Sequence, residues 1–185
     1  VLPLQYQGVI NFDVLKHRSV FQMRDPGNIG IEVIPKYVMN KILERFPEGH
    51  PERIGIMLAY HCGLRLGEAY GLIWDDVDLI WGSIYLQRQV QWDAKNHVYV
   101  IVPPKYDSNR RIKMDNEIWE FLKREKKRQE QGRLEAGDKY EQLFIDEHRR
   151  LNTDRRGEPI YMVNTRPDGT YIQPRVTQHA AHIIK

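Results

Sequence analysis

Apolar residues recur at the spacing of an α-helix over two segments in the first half of the chain. One segment lies between Pro35 and Pro47, and the next runs from Pro51 to Gly63. Proline fits the first turn of a helix and glycine favours its C-terminal end, so these residues bound two predicted helices. A shorter third helix is predicted after Gly63, with apolar positions at Leu66, Ala69, Tyr70 and Ile73.

Alternating apolar and polar residues predict three strands after this helical part. The strands cover residues 83–90, 97–102 and 110–114. Short connections between consecutive strands favour antiparallel pairing. Asp115 is a candidate N-cap for a further helix, residues 132–156 are polar and irregular, and a short strand is predicted at 160–163. The predicted fold is α+β and mainly helical, with helices packed with a small three-stranded antiparallel sheet.

Composition narrows the class of protein. The chain has 185 residues, a formal net charge of +3 and one cysteine. Residues 1–34 lack a clean period and are interpreted as a linker or N-terminal arm, with one domain over 35–185. No apolar run approaches the length of a membrane-spanning helix, and no signal pattern opens the chain. A cytoplasmic protein with no membrane partner is therefore predicted, and Cys62 is interpreted as a buried structural thiol.

A single arginine lies at the predicted boundary between two helices. Arg65 follows Gly63, and Glu68 is three residues further on, within reach of the guanidinium. An arginine fixed in this way can present its planar fork to an oxyanion. Taken alone, this spacing favours an ordinary, partly buried ion pair in a helical hairpin.

The longer string that contains this arginine favours the first interpretation. Residues 63–78 read Gly-Leu-Arg-x-x-Glu-Ala-x-x-Leu-x-Trp-x-Asp-Val-Asp. This string resembles the first catalytic-arginine box of the tyrosine recombinases, the phage integrase family. The resemblance implies the catalytic core of a DNA breaking-rejoining enzyme over residues 35–185. It makes Arg65 a catalytic phosphate ligand, and Glu68 and Asp76 its structural support.

A second stretch resembles the same family and follows at a similar interval. Residues 104–114 place Lys105, Ser108, Arg110 and Arg111 at a predicted hairpin tip and its exit strand. In the tyrosine recombinases a catalytic lysine occupies such a tip, so Lys105 is expected to be the general acid. Ser108, Arg110 and Arg111 are then expected to bind DNA. Tyr106 departs from the Thr or Gly of many relatives, and an exposed turn without function remains an alternative for this stretch taken alone.

The resemblance implies site-specific recombination through a 3′-phosphotyrosine, with neither metal nor cofactor. The partners implied are double-stranded DNA at recombination sites and a tetramer of the full-length protein, encoded by a phage or another mobile genetic element. The family's His-x-x-Arg box and its nucleophilic tyrosine are not found: His179 and His182 lack the arginine, and Tyr171 is interpreted as a packing residue. The chain is therefore expected to be truncated and inactive alone.

Two alternatives stay open. One is a non-catalytic DNA-binding or interaction domain that keeps a relic recombinase scaffold. The other is an unrelated α+β domain whose match is coincidental. The recombinase interpretation requires Arg65 and Lys105 to converge on the same anion.

Overall fold

Four α-helices and eight short strands are formed by residues 34–174, the part of the chain that the computed structural model describes. The chain divides into two units, residues 1–53 with 174–185, and Ile54–Gln173. The interpretation of residues 1–34 as an arm falls, except for Ile34, outside the described residues. The sequence also predicts a last helix that opens at Pro174 and has Val176, Ala180, Ile183 and Ile184 on one face; apart from Pro174, it too lies outside the described residues. In chain order the helices are α1 (Lys36–Arg45), α2 (Arg53–Cys62), α3 (Leu66–Tyr70) and α4 (Asn116–Ala136).

The described part of the first unit is α1 and the loop that follows it. Pro35 precedes the helix in an extended conformation, which suits a residue that cannot donate a backbone hydrogen bond. At the other end, Arg53 Nη1 donates to Leu43 O at 2.9 Å and to Phe46 O at 2.7 Å. The guanidinium thus caps carbonyl groups that the end of a helix leaves without a partner.

The second unit begins with the apolar helix α2, which ends where the sequence predicts. Gly63 adopts φ +62°, a left-handed conformation that costs glycine little and stops the helix. Leu64 and Tyr70, on either side of the arginine, are each 1% exposed. Their burial anchors the short helix α3 in the core and fixes the direction in which the intervening residues point.

The strands form three small antiparallel sheets rather than one. Their bounds are β1 (Val77–Asp78), β2 (Ser83–Leu86), β3 (Gln89–Asp93), β4 (Val98–Val102), β5 (Arg110–Lys113), β6 (Leu143–Ile145), β7 (Leu151–Asn152) and β8 (Glu158–Ile160). One sheet has the order β1-β2-β5, another is the hairpin β3-β4, and the last has the order β7-β6-β8. The α+β fold with a three-stranded antiparallel sheet is confirmed, but the strands assigned to that sheet were wrong.

The predicted strand 83–90 is divided into two strands because the side chains of Gln87 and Arg88, which lie between the two strands, bind a buried carboxylate. Gln87 Nε2 donates to Asp76 Oδ1 at 2.7 Å, and Arg88 Nε lies 2.7 Å from Asp76 Oδ2. Asp76 is only 5% exposed, so its charge needs both partners. The residues before the break pair with β5, with Ile84 opposite Ile112, and those after it pair with β4.

Helix α4 is longer than the sequence predicts, and the polar stretch after it is more regular. The helix continues through Gly132 to Ala136, although residues from 132 onward were expected to be irregular. A Cβ at Gly132 would lie 2.4 Å from Pro167 Cβ, so only glycine allows the chain to cross the helix there. The strand predicted at 160–163 is instead β8, which pairs Ile160 with Leu143.

Candidate active site

The boundary between α2 and α3 positions Arg65 as the sequence predicts. Arg65 is the N-cap of α3, with an extended backbone at φ −66° and ψ 157°. Its backbone N donates to Glu68 Oε2 at 2.9 Å, which satisfies a donor left open at the start of the helix. The side chain is 50% exposed, so the guanidinium faces solvent while the backbone of Arg65 is fixed.

Glu68 is completely buried and binds two guanidinium groups. Its Oε1 accepts from Arg65 Nη1 at 2.8 Å, and its Oε2 accepts from Arg110 Nη2 at 2.9 Å. A further contact joins Arg110 Nη1 to Glu68 Oε1 at 3.3 Å. One carboxylate therefore holds two arginines that lie 45 residues apart in sequence.

These contacts keep Glu68 ionised. Burial alone would raise the pKa of this carboxyl, because a low-dielectric environment disfavours the charged form. The hydrogen bonds from Arg110 and Arg65 outweigh that effect and lower the pKa below its usual value. Two cations on one anion leave a net positive charge, which makes the cluster a candidate anion site.

Strand pairing explains why Arg110, rather than its neighbour, reaches Glu68. β5 is antiparallel to β2, with Arg110 opposite Leu86. Successive side chains of a strand point to opposite faces, so Arg110 lies on the face of Glu68 and Arg111 on the other. Arg111 there donates to Ser83 Oγ at 3.1 Å and lies over the Tyr85 ring at 5.7 Å. The two arginines predicted to bind DNA together thus point to different faces of the sheet.

Close backbone packing fixes α3 on the β3-β4 hairpin. A Cβ at Gly67 would lie 2.9 Å from Val90 O, and a Cβ at Gly71 would lie 2.6 Å from Val90 N. The hairpin continues from β4 into Pro103, whose carbonyl accepts from Gln89 Nε2 at 2.9 Å. The segment that carries Lys105 is therefore tied to the strand on which the arginine helix packs.

Lys105 itself lies in an exposed turn between this hairpin and β5. Residues Lys105–Asp107 form a single turn, and Ser108 N donates to Lys105 O at 3.3 Å. No contact between Lys105 and Arg65 is recorded among the described residues; instead the turn leads into Arg110, which shares Glu68 with Arg65. The convergence of Arg65 and Lys105 on one anion stays a prediction. The contribution of Arg110 to this cluster was not foreseen.

Ser108 and Asp76 lie in surroundings that bear on their predicted roles. The Ser108 hydroxyl oxygen is shielded from solvent and has no hydrogen-bond partner among residues 34–174. Burial raises the pKa of Asp76, and the hydrogen bonds from Gln87 and the charge of Arg88 offset this in part. Asp76 thus supports the segment between the two sheets. Its role as a support of the site, and that of Ser108 as a DNA contact, stay predictions.

Two other side chains behave as structural residues. Burial, with the nearby Asp115 carboxylate, raises the pKa of the Cys62 thiol to about 12, so little reactive thiolate forms at neutral pH. Tyr171 donates its hydroxyl to Tyr70 O at 2.9 Å and packs edge-on against Tyr99 at 5.9 Å between ring centroids. The packing role that the sequence predicts for Tyr171 agrees with these contacts.

Comparison with known proteins identifies the family. Residues 33–162 match the phage integrase family. The chain belongs to the phage integrase family. A coincidental match of an unrelated α+β domain is therefore wrong as an explanation of the arginine box.

The chain is similar in sequence to one curated relative and in fold to a solved integrase structure. It is 30% identical over 118 residues to a protein described as "Tyrosine recombinase XerC-like" from Caldanaerobacter subterraneus subsp. tengcongensis, covering 60% of this chain and 30% of the relative. The chain thus spans about a third of the length of that curated relative. A structure of the Tn1549 transposon integrase in complex with a circular intermediate DNA matches with a TM-score of 0.50 and 20% identity, covering 76% of this chain and 43% of that chain. This likeness supports the fold.

Residues 34–174 contain neither a helix that could span a membrane nor a cluster of metal-binding side chains. No described helix combines the length and apolar character needed to cross a bilayer. No group of three or more His, Cys, Asp or Glu side chains is placed to hold a metal ion in this part of the chain. The predictions that no metal and no cofactor are needed stay predictions.

Proposed function

We propose that this chain forms part of the catalytic domain of a site-specific DNA recombinase that acts on double-stranded DNA. The observation that carries the proposal is the pair of guanidinium groups held by the buried Glu68, one of them in the arginine box of the family. The relatives named above are a tyrosine recombinase and a transposon integrase in complex with DNA, which supports DNA as the partner. The full-length gene product is proposed to act as a tetramer on DNA.

In the proposed reaction, Arg65 binds the non-bridging oxygens of the scissile phosphate. A guanidinium has five N–H donors, and Glu68 takes up one of them at Nη1. The donors that face solvent can therefore bind phosphate without breaking the ion pair that orients them. As charge grows on these oxygens in the transition state, a pre-oriented guanidinium stabilises it without reorganisation.

Lys105 is proposed to protonate the departing 5′-oxygen. Its turn lies between the hairpin on which α3 packs and the strand that carries Arg110, so both flanking segments are tied to elements that hold the arginine cluster. A lysine that is exposed before DNA binds can lose its hydration when the duplex covers it. No residue of this chain is assigned as the attacking tyrosine or as the arginine of the family's His-x-x-Arg box.

Strand cleavage by the full-length gene product tests the proposal. Arg65→Ala should abolish formation of the covalent DNA–protein adduct on a nicked substrate, whereas binding to the same DNA should change little. Arg65→Lys should recover a small fraction of activity, because a point charge replaces the fork. Arg128→Ala is the matched control, since Arg128 also pairs with a buried carboxylate, Glu125, but on helix α4 and outside the arginine cluster.

The results separate the rival functions. Adduct formation by Arg65→Ala at a near-normal rate would refute the assignment of Arg65. A wild-type protein that binds DNA but never forms an adduct would favour the relic scaffold, in which the same fold binds DNA without cutting it. Loss of activity in Arg128→Ala to the same extent as in Arg65→Ala would show a general defect in folding.

A further inference from the structure

Tyr106 is the most exposed large hydrophobic residue in the described part of the chain. Its side chain is 92% exposed, compared with 79% for Ile80 and 73% for Trp81. No ring contact, ion pair or hydrogen bond of this side chain is recorded among residues 34–174. Packing within this part of the fold therefore gives no reason for an aromatic ring at this position.

The backbone makes the choice of residue more unusual. Tyr106 adopts φ 59° and ψ 30°, and Asp107 follows with φ 51°. Both conformations are left-handed, a region that glycine occupies without penalty and that a residue with a Cβ disfavours. A turn of this shape would form more easily with glycine at 106. A strained residue whose side chain makes no stabilising contact in the described part of the chain suggests that the side chain is kept for a function other than folding.

The position of the ring along the chain indicates what it contacts. Tyr106 directly follows Lys105 in the same exposed turn, with Cα atoms about 3.8 Å apart, so both side chains can contact one ligand. If Lys105 lies at a phosphate, as the proposed function holds, the next side chain reaches the neighbouring nucleotide. The turn is held by Asn109 N, which donates to Asp107 O at 2.8 Å, and by Arg110 on Glu68. The tip is therefore fixed relative to the arginine cluster.

We propose that the Tyr106 ring packs against the sugar and base of the nucleotide adjacent to the phosphate bound by Lys105. The ligand is duplex DNA at the point of cleavage, and the contact is apolar rather than electrostatic. This inference rests on the proposed function, because it takes the position of Lys105 from it. Lysine and arginine would supply attraction to the backbone, while the ring would fix the position of the cleaved step.

The test uses the full-length gene product with three variants and a fluorescent base. Tyr106→Gly removes the ring and also relieves the left-handed backbone, so the fold should be as stable as wild type or more stable. Tyr106→Phe keeps the ring. Lys105→Ala removes the charge. The probe is a 2-aminopurine placed next to the scissile phosphate of a duplex recombination site.

We expect Tyr106→Gly to weaken binding to this duplex by about ten-fold, as the loss of the apolar contact of one aromatic ring would give. The slope of affinity against salt should not change, because no phosphate contact is lost. Lys105→Ala should instead reduce that slope by about one. Quenching of the 2-aminopurine should be lost in Tyr106→Gly and retained in Tyr106→Phe.

Each contrary result points to a different fault. Wild-type affinity and quenching in Tyr106→Gly, together with a loss of cleavage in Lys105→Ala, would overturn the inference and leave the proposed function standing. No effect of Lys105→Ala on cleavage would undermine the proposed function itself. A change in self-association of Tyr106→Gly without DNA, with unaltered quenching, would assign the ring to a protein interface and overturn the inference.

Discussion

Replacing Glu68 by glutamine tests the cluster on which the proposed site depends. The change removes the buried charge but keeps the size of the side chain, so Arg65 and Arg110 lose their shared anion. Removing one partner of a buried ion pair costs about 3–5 kcal/mol. The guanidinium groups are 50% and 34% exposed and water can solvate them in part, so we expect a loss at or below the lower limit of that range, about 2–3 kcal/mol.

The effect should depend on pH in a defined direction. The pKa of Glu68 is lower in the folded protein than in the unfolded chain, so the folded state binds fewer protons. The stabilisation is therefore fully present above the unfolded pKa and disappears as pH falls through the folded one. The difference in unfolding free energy between wild type and Glu68→Gln should be largest near neutral pH and shrink below about pH 4. Urea unfolding of the 185-residue chain, followed by tryptophan fluorescence, measures it.

Glu68→Gln should reduce DNA cleavage without reducing DNA binding. Loss of a negative charge beside the site should leave non-specific DNA binding unchanged or slightly tighter. Cleavage by the full-length protein should fall by about 100-fold, because the phosphate ligand is no longer held in position. Glu125→Gln is a matched control, since Glu125 is 3% exposed and pairs with one guanidinium, that of Arg128. It should lose stability without losing the cleavage rate of the folded protein.

Two results would refute this reasoning. The first is an unfolding free energy of Glu68→Gln within about 0.5 kcal/mol of wild type at neutral pH, the range of ordinary surface changes. The second is equal loss of cleavage in Glu68→Gln and Glu125→Gln at matched folded fraction. Either result would mean that the carboxylate does not position Arg65.

Three further predictions concern the scaffold. Gly132→Ala should destabilise the chain by about 2 kcal/mol or more despite the better helix propensity of alanine, because the alanine Cβ would lie 2.4 Å from Pro167 Cβ. Chemical denaturation measures this loss of stability, and an unchanged midpoint would contradict the prediction. Cys62 is half-buried and its pKa is raised to about 12, so it should react with iodoacetamide at pH 8 far more slowly in the folded chain than in urea. Equal rates would contradict the raised pKa. Asp115→Ala should cost about 1 kcal/mol or more, because Asp115 Oδ1 accepts hydrogen bonds from the Glu117 and Ile118 backbone N–H groups at the start of α4 and Oδ2 lies 2.7 Å from His61 Nδ1. Chemical denaturation measures this loss, and an unchanged midpoint would contradict it.

The sequence predicts the local half of the arginine cluster because that half depends on near neighbours. Glu68 lies three residues after Arg65, a spacing that brings side chains together on any helix. The contact between Glu68 and Arg110 spans 42 residues, and it exists only because β5 pairs with β2 in one register. Alternation identifies the strand but not its partner. The contact between Arg110 and Glu68 could therefore not be predicted before the fold was known.

The errors in the predicted strands have a similar origin. Residues 83–90 alternate as one strand should, and the pattern does not reveal that Gln87 and Arg88 turn toward the buried Asp76. The extent of α4 was missed for a different reason. Gly132 normally weakens a helix, and its need for close contact with Pro167 comes from a segment 35 residues away.

The adjacent arginines on β5 have a consequence for how the loop before them can vary. A shift of the β5 register by one residue would bring Arg111 to Glu68, and either arginine could in principle pair with that carboxylate. The same shift would turn Ile112, which pairs opposite Ile84, toward solvent. The apolar residue thus selects which arginine faces inward. An inserted or deleted residue between 103 and 109 should change the length of the loop, and so the reach of Lys105, while Arg110 keeps its place.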